Sequence, residues 1–429
     1  MGRIPDLPGQ LVERGSAQDV WLRGHVANLC GLPHDRFPGA QPVSFAERDL
    51  DRLVESDYWV CEKSDGVRVL LVILTNEHTG EQLVHLVDRH NSYRRVEGIY
   101  FPHFDNPARP LRSTIIDSEL VIDVDPATGQ ETLRLLCFDC LITDGTNIMN
   151  RSLEKRYGRL KIHFFDPYAK MKQEHPEVIH SHPFDIKVKE VNLSYHLDKV
   201  FKVDIPRLQH GNDGLIYTPV ATPYVPGTDK NILKWKPPSE NSIDFKLVLR
   251  FPPTKGPGRR NEPDFHARPI FALHVWAGGS NYEPYDTMHV TDEEWETMKA
   301  SGDQYDERVV EVHWDAELES WRMMRFRDDK PHGNHKTTVE NIISSIADGV
   351  EKDVLVARSN QVRDAWKARH TPGARPPPPS GAPPPRQAPP PLQPAAAVRS
   401  VPSIRRFGPL RPSPMSKVGG PAVYAGFRR

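Results

Sequence analysis

The stretch from Glu62 to Arg68, Glu-Lys-Ser-Asp-Gly-Val-Arg, holds side chains that together could carry covalent chemistry. A lysine amine can act as a nucleophile, and Asp65 shares its face in an extended chain. Gly66 lets a ligand approach the backbone, and Arg68 is suited to a phosphate or a ribose. Lys-x-Asp-Gly alone is more often a solvated hairpin turn. The longer pattern favours a lysine-nucleophile site at Lys63.

Two carboxylates lie on one face of the strand predicted over residues 113–124. Alternation along that strand puts Asp117 and Glu119 side by side, with Asp123 further along the same face. Adjacent carboxylates repel each other, so either the face is exposed to solvent or positive charge compensates them. A site that contains Lys63 and a divalent cation would supply that charge.

Other polar residues at strand ends have both a structural and a functional interpretation. Arg89 is a solvated charge or a ligand for the nucleotide sugar or phosphate. Asp213 is a turn former, or a ligand for a metal or water. Lys234 and Lys236 share one face of a strand and Trp235 takes the other. Two lysines on one face repel unless an anion lies between them, and a polyphosphate is such an anion.

The elements that must position these residues are mostly strands. A strand over residues 58–62 leads into Lys63, and the runs 68–75 and 82–88 predict an antiparallel hairpin. Short strands with long turns from about residue 246 to 329 are typical of a small β-barrel. The strand pattern begins with residues 243–249, which include Asp244. The last barrel strand runs into a cationic segment, residues 325–335.

Composition indicates an ordinary globular chain with an unusual C-terminal segment. Hydrophobic residues make up 38% of the sequence, and no apolar run approaches the roughly 20 residues of a membrane span, so we expect no membrane contact. Residues 371–429 hold 17 of the 42 prolines, nine basic residues and no acidic one. This predicts a disordered tail, acting as a spacer or as an electrostatic arm for RNA or an acidic partner.

The four cysteines are too few for a disulfide framework in a chain of 429 residues. Cys137 and Cys140 have the spacing of a zinc or redox motif, but no second Cys/His pair follows. Positions three apart on a strand face opposite ways. We therefore interpret this pair as structural.

Six motifs occur in order along the chain: Lys63-Ser-Asp-Gly-Val-Arg68, Asp88-Arg89, Asp117-Ser-Glu119-Leu, Asp213-Gly-Leu-Ile, Lys234-Trp-Lys236 and Arg327-Asp-Asp-Lys330. Each is weakly specific alone, but the ordered set is highly specific. It resembles the motif series of the covalent nucleotidyltransferases, which comprise mRNA capping guanylyltransferases and ATP-dependent polynucleotide ligases. Within that superfamily the chain is most similar to fungal mRNA capping guanylyltransferases, because of its Lys-Trp-Lys-Pro-Pro form and the early position of Lys63.

The resemblance implies an α+β fold in several parts. A nucleotidyltransferase domain of ATP-grasp-like antiparallel sheets with helices is expected over residues 1–238, and an OB-fold β-barrel over residues 239–335. Helices at residues 336–370 are expected to pack back on the first domain. The disordered tail, residues 371–429, completes the chain.

The resemblance also implies the reaction and its residues. Lys63 attacks the α-phosphate of GTP with Mg²⁺ or Mn²⁺ present, and the resulting lysyl-GMP passes GMP to the 5'-diphosphate end of RNA. Arg68, Arg89 and Glu119 hold the ribose and guanine side, and Lys234 and Lys236 hold the α-phosphate. The remaining roles fall to a larger set: Arg325, Arg327 and Lys330 for the departing phosphates, Asp65, Asp117, Ser118, Trp235 and Asp329 for nucleotide binding, Glu119 and Asp213 for the metal, and Asp244 as a further site residue.

Partners and location follow from the same resemblance. It implies an RNA 5'-triphosphatase as a separate chain, the phosphorylated C-terminal domain of RNA polymerase II as a binding partner, and the nucleus as the location. One alternative is an ATP-dependent polynucleotide ligase, which should carry a DNA-embracing domain or a longer N-terminus. Another is a non-catalytic scaffold for RNA or polymerase, which would not need Lys63, Asp65, Glu119 and Lys234 together.

Overall fold

A computed structural model of the chain describes residues 4–76, 78–254 and 262–371. The described residues form two compact units, one ending at Trp235 and resuming at Lys352, the other spanning Lys236–Glu351. The predicted disordered tail lies outside the described residues, except for residue 371. None of the described helices combines the length and the apolar character needed to cross a membrane.

Thirteen strands of the first unit form two sheets. The larger sheet has the order β1-β6-β5-β4-β7-β8-β10 with β9 on β8, and the smaller has the order β11-β3-β12-β13-β2. The strands are β1 (Gln10–Leu11), β2 (Ala40–Ser44), β3 (Tyr58–Ser64), β4 (Val67–Thr75), β5 (Gln82–Asp88), β6 (Tyr93–Val96), β7 (Thr114–Val124), β8 (Glu131–Thr143), β9 (Thr146–Asn147), β10 (Asp185–Val188), β11 (Asn192–Leu193), β12 (Asn212–Pro219) and β13 (Gly227–Trp235).

The described chain also has eight α-helices: α1 (Ala17–Cys30), α2 (Asp49–Glu55), α3 (Leu153–Arg159), α4 (Asp166–Glu174), α5 (Leu197–Lys199), α6 (Asp292–Ser301), α7 (Lys336–Ala347) and α8 (Lys352–His370). Single π-helical segments, Leu160–Phe165 and Val200–Asp204, continue α3 and α5. Short 3-10 turns occur at Pro176–Ser181, Ile205–Arg207 and Pro238–Glu240. The fold of the first unit is therefore α+β, as the sequence predicts.

The larger sheet is covered on both faces. Along β4, Val69 and Leu71 belong to a core cluster with the α3–α4 segment, and Leu70 and Val72 belong to a second cluster with α1. Both faces of a central strand are therefore apolar, which explains the unbroken run of aliphatic residues in β4. The predicted hairpin of β4 with β5 is confirmed.

The two strands that flank the Lys63 connection do not form a hairpin. β3 pairs with β11 and β12 in the smaller sheet, whereas β4 lies between β5 and β7 in the larger one. The connection at residues 65–66 therefore passes from one sheet to the other. A Cβ on Gly66 would lie 2.4 Å from the carbonyl oxygen of Leu120, so only glycine allows this close passage. The solvated-hairpin alternative is wrong for this segment.

The second unit is a closed barrel of five strands, in the order β14-β15-β16-β18-β17. They are β14 (Ser242–Arg250), β15 (Ile270–Gly278), β16 (Asn281–Met288), β17 (Val309–Asp315) and β18 (Ser320–Phe326). Val339 and Ile343 of α7 belong to the barrel core, whereas α8 contacts α2 and α5 of the first unit. The expectation that residues 336–370 pack together on the first domain therefore does not hold for α7, whose apolar stripe is buried in the barrel.

A buried histidine lies inside the first unit. The side chain of His85 on β5 is fully buried, and neither ring nitrogen has a hydrogen-bond partner among the described residues. Burial, helped by nearby Arg95, lowers the pKa of His85 from 6.5 to about 4. The unfolded chain therefore binds one more proton than the folded chain between these two values. Stability should fall as the pH falls through that window.

We expect His85→Leu to reduce this acid sensitivity. Between pH 7 and pH 5 the wild-type chain should lose about 2 kcal/mol more unfolding free energy than the variant, because only the wild type must keep a buried imidazole neutral. Denaturant unfolding at both pH values measures the difference. The exposed His175→Leu serves as the control. Equal pH dependence in wild type and His85→Leu would show that His85 is protonated freely in the folded chain.

Candidate active site

A cleft of about 230 Å³ in the first unit is lined by both sheets. Lys63, half-buried on β3, lines it and donates a hydrogen bond from Nζ to Oδ1 of Asp213 at 2.5 Å. Asp213 enters the site at the start of β12, the neighbouring strand of the smaller sheet. The charged group that contacts the Lys63 ammonium is therefore a carboxylate, whereas a lysine nucleophile would benefit from cationic neighbours.

The Asp117 carboxylate on β7 is fully buried and is balanced by Arg68 of β4. The Arg68 guanidinium forms two hydrogen bonds with Asp117, at 3.0 and 2.6 Å, and also donates to the carbonyl oxygen of Ala40. The Tyr224 hydroxyl donates to Asp117 at 2.5 Å and accepts from the backbone N–H of Ala40 at 2.8 Å. Burial raises the pKa of Tyr224 well above its usual value, and the Asp117 charge raises it further. Tyr224 was not predicted from the sequence.

The second carboxylate of this face, Glu119, is paired with a lysine that the sequence analysis missed. Lys189 Nζ lies 3.9 Å from Glu119 Oε2, 3.3 Å from Glu62 Oε1 and 2.8 Å from the Ser64 hydroxyl. Burial by itself would lower the pKa of Lys189. The negative charges of Glu62 and Glu119 have the larger combined effect and raise that pKa. Burial raises the pKa of Glu119, although Lys189 and Lys63 oppose that effect. Asp117 and Glu119 thus share a face and line the cleft, as predicted.

A bulge in β8, the strand next to β7, brings two consecutive residues to the cleft. Asp117 pairs with Asp139 and the next residue of β7 pairs with Cys137, so Phe138 is an extra residue. Phe138 and Asp139 consequently both line the cleft. The same bulge puts Cys137 and Cys140 in one core cluster, so the expectation that they face opposite ways is wrong. Both are free and buried, which agrees with a structural role.

Of the predicted nucleotide-binding residues, Arg68, Asp117 and Glu119 line this cleft; Ser118, Asp65 and Arg89 are among those that do not. Ser118 is fully buried on the other face of β7, where its hydroxyl donates to the Cys137 sulfur at 3.4 Å. Asp65 lies in the connection between the sheets and donates its backbone N–H to the carbonyl oxygen of Gly211. Arg89 is exposed in the turn after β5. Successive side chains of a strand point to opposite faces, so Ser118 points away from the face that carries Asp117 and Glu119. Arg89 follows the last residue of β5 and lies in a turn outside the sheet.

Lys234 lies on the same face of the smaller sheet as the cleft lining. It pairs with Ile216 of β12, which pairs with Cys61 of β3, and both partners line the cleft. Trp235, the next residue, is buried on the opposite face, with its ring edge-on to Phe201. The predicted alternation along β13 is confirmed. Lys236 is exposed and is the first residue of the second unit.

The cationic segment of the barrel is held by carboxylates of its own unit. Arg327 contacts both oxygens of Asp244 at 3.0 and 3.1 Å and both oxygens of Asp329 at 2.9 and 2.8 Å. Lys330 donates to Asp244 at 2.5 Å. Arg325, half-exposed, donates to the buried Glu311 at 2.7 Å. The sequence predicts Asp244 as a site residue without a role. In the structure its carboxylate accepts hydrogen bonds from Arg327 and Lys330.

A divalent cation would find few protein ligands here. No cluster of three or more His, Cys, Asp or Glu side chains suited to a metal occurs in the part of the chain that the structure describes. Glu119 and Asp213 interact electrostatically, and each also interacts with Lys63. Mg²⁺ is usually held by one or two carboxylates together with substrate phosphates and water. A pair of acids beside Lys63 in the cleft therefore fits what is required of the protein ligands of that ion.

A lysine and an Arg–Asp pair in one cleft, in a chain that also carries a five-stranded barrel, fit the class of nucleotidyltransferases to which the six motifs point. The model of the mRNA capping enzyme catalytic domain matches residues 6–238, and the model of the capping enzyme C-terminal domain matches residues 240–356. The chain belongs to the mRNA capping enzyme family, whose activity is guanylyl transfer. The resemblance inferred from the six motifs is confirmed.

Fungal relatives support this assignment. The chain is 40% identical over 387 residues to the mRNA-capping enzyme subunit alpha of Neurospora crassa, covering 86% of this chain and 95% of the relative. It is 40% identical over 370 residues to the corresponding subunit of Schizosaccharomyces pombe, covering 85% and 90%. A solved structure of mycobacterial DNA ligase D complexed with ATP and MES is 14% identical, with a TM-score of 0.34, covering 68% of this chain and 95% of that chain.

We expect Tyr224→Phe to destabilise the chain by about 1 to 2 kcal/mol, because the Ala40 N–H would lose its buried acceptor and Asp117 would lose one donor. Denaturant unfolding measures the change. Tyr195→Phe is the matched control, since the Tyr195 hydroxyl has no hydrogen-bond partner among the described residues. An equal, small effect of both substitutions would show that the Tyr224 hydroxyl does not organise the Arg68–Asp117 pair.

Proposed function

We propose that Lys63 transfers GMP from GTP to the 5'-diphosphate end of nascent RNA. The observation that carries the proposal is the position of Lys63 in the cleft, in contact with Asp213 and facing the Arg68–Asp117 and Glu119–Lys189 pairs. In the first step Nζ bonds to the α-phosphorus, the bond to the bridging oxygen breaks and pyrophosphate leaves. In the second step an oxygen of the RNA β-phosphate attacks that phosphorus and the P–N bond breaks.

Asp213 is the group placed to take the proton that Lys63 must lose. Its Oδ1 already accepts a hydrogen bond from Nζ, so transfer needs no movement of either side chain. The same carboxylate can return the proton when the P–N bond breaks. Glu119 and Asp213 would also hold Mg²⁺ or Mn²⁺ beside the phosphates, where the ion offsets the charge of the phosphate oxygens.

Guanine specificity is assigned to Lys189. The ammonium has three N–H donors, and two find acceptors in Ser64 and Glu62, while Glu119 at 3.9 Å is beyond hydrogen-bond distance. One N–H is therefore left for a ligand in the cleft. Guanine presents an acceptor, O6, where adenine presents an amino donor, so a donor-only group favours guanine. Trp59 and Tyr157, which also line the cleft, supply apolar surface for the base.

Other charged side chains are assigned to the ribose and to the phosphates of the nucleotide. Arg68 and Glu119 would hold the ribose, and Lys234 and Lys236 the α-phosphate. Arg325, Arg327 and Lys330 of the barrel would orient the departing β- and γ-phosphates, which requires exchange with Asp244 and Asp329. Asp65, Arg89 and Trp235 stay as indirect contributors in this proposal, because Trp235 is buried on the face of β13 away from the cleft and the other two lie in connections between strands.

The proposed domain limits differ slightly from those expected from the sequence. The two family models meet between residues 238 and 240, which supports a nucleotidyltransferase domain ending at 238. The closed five-stranded barrel supports an OB-fold, and the packing of α7 extends that domain to about residue 351. We also propose RNA as the acceptor, a separate triphosphatase chain and phosphorylated RNA polymerase II as partners, and the nucleus as the location.

The first test is substitution of Lys63. We expect Lys63→Ala to abolish the covalent guanylate adduct, and Lys63→Arg to abolish it too, because a guanidinium stays protonated and cannot attack. Incubation with labelled GTP followed by denaturing electrophoresis measures the adduct. The control is Lys187→Ala, an exposed lysine of β10. An adduct of wild-type yield in Lys63→Ala would remove Lys63 from its role, and preferred labelling by ATP would favour a polynucleotide ligase.

The second test concerns the barrel cations. We expect Arg327→Ala to slow adduct formation from GTP about a hundredfold, because one donor to the leaving pyrophosphate is lost. Transfer of preloaded GMP to diphosphate RNA should keep its wild-type rate, since no β- or γ-phosphate of GTP is then present. Rapid-quench kinetics of each step separates the two. The barrel variant Arg322→Ala is the control, and equal slowing of both steps would contradict the assignment.

A further inference from the structure

A chain of buried hydrogen bonds extends behind Lys189. Lys189 Nζ donates to the Ser64 hydroxyl at 2.8 Å, and Ser64 Oγ lies 3.3 Å from Nε2 of His210. Nδ1 of His210 lies 2.7 Å from Oδ1 of Asp123. The four residues come from β3, β7, the segment after β10 and the segment before β12. All four side chains are almost fully buried.

The chemistry of Asp123 fixes the orientation of this chain. Arg134 also donates to Asp123. Burial would raise the pKa of Asp123, but the hydrogen bonds from His210 and Arg134 outweigh it and lower that pKa. An ionised carboxylate only accepts hydrogen bonds, so Nδ1 of His210 carries a proton. In the neutral ring Nε2 is then an acceptor for the single proton of the Ser64 hydroxyl.

This arrangement leaves the lone pairs of Ser64 Oγ for Lys189. Without His210 the hydroxyl proton of Ser64 would no longer be held toward Nε2. It could then turn toward its other acceptor, Oε1 of Glu62 at 3.3 Å. The Lys189 ammonium would lose a fixed partner, and its remaining N–H would lose a fixed direction. Neither His210 nor Asp123 lines the cleft, so any effect on the substrate must pass through Ser64 and Lys189.

We propose that His210 and Asp123 are positioning residues that set the preference of the site for a purine with an oxygen at C6, by orienting Ser64 and through it Lys189. The inference rests on the proposed contact of Lys189 with the base. It adds that the selectivity of this contact is controlled from outside the cleft. The two residues take no part in the transfer of GMP itself.

The test compares GTP with 2-aminopurine riboside triphosphate, which lacks the oxygen at C6 and the proton on N1 that accompanies it. The preference is the ratio of the adduct-formation efficiencies, kcat/KM, for the two nucleotides. We expect His210→Ala to reduce this preference about tenfold, corresponding to one weakened hydrogen bond. The loss should appear in KM for GTP, with the maximal rate of adduct formation close to wild type. His196→Ala, an exposed histidine, is the control.

A double-mutant cycle separates positioning from general damage. Ser64→Ala removes the link, so adding His210→Ala to it should cause little further loss of preference. His210→Gln retains an acceptor for Ser64 and should keep most of the preference, whereas His210→Leu should lose it. This second pair decides the matter if His210→Ala does not fold.

Additive losses in the cycle, or equal losses with both nucleotides, would overturn the inference while leaving the proposed function intact. Failure of the wild-type chain to distinguish the two nucleotides would instead contradict the contact of Lys189 with the base. The two failures are therefore distinguishable in one set of measurements.

Discussion

A charged side chain buried between two β-sheets is stable only beside an opposite charge, and the cleft around Lys63 is built from such pairs. Arg68 balances Asp117, and Lys189 balances Glu62 and Glu119. Arg156 and Asp139 form a further pair beneath the β8 bulge, with contacts of 2.8 and 2.9 Å. The partners come from distant parts of the chain. The Arg68–Asp117 pair requires the pairing of β4 with β7, whereas Lys189 can compensate both Glu62 and Glu119 only when the two sheets are formed.

The same pairing bears on how the site would accept a nucleotide. Lys63 is held by Asp213, and in the barrel Arg327 and Lys330 are held by Asp244. Lys63, Arg327 and Lys330, three of the cations proposed to meet a phosphate, thus have a carboxylate partner already. Phosphate oxygens must compete with these carboxylates, which keeps the cations oriented without leaving unpaired charge. In this account, binding exchanges one set of ionic partners for another.

Local patterns in the sequence predict much of this site, and long-range pairing decides the rest. Alternation along β7 is enough to place Asp117 and Glu119 on one face. The passage of the chain between sheets after Lys63 is invisible to local patterns, because a hairpin and a crossing have the same turn residues. Lys189 and Tyr224 carry no local signal either, since each gains its meaning from partners more than 50 residues away. The β8 bulge likewise depends on register with β7.

Mass spectrometry of the unaltered protein can show directly which residue carries the nucleotide. The full chain would be incubated with GTP or, separately, with ATP in the presence of Mg²⁺, digested, and its peptides examined by mass spectrometry under conditions that preserve phosphoramidates. If Lys63 is the nucleophile of a guanylyltransferase, guanylate will be found on the peptide that contains Lys63, with no comparable adenylate. Guanylate attached to another residue, such as Lys189, or equal labelling by both nucleotides, would contradict it.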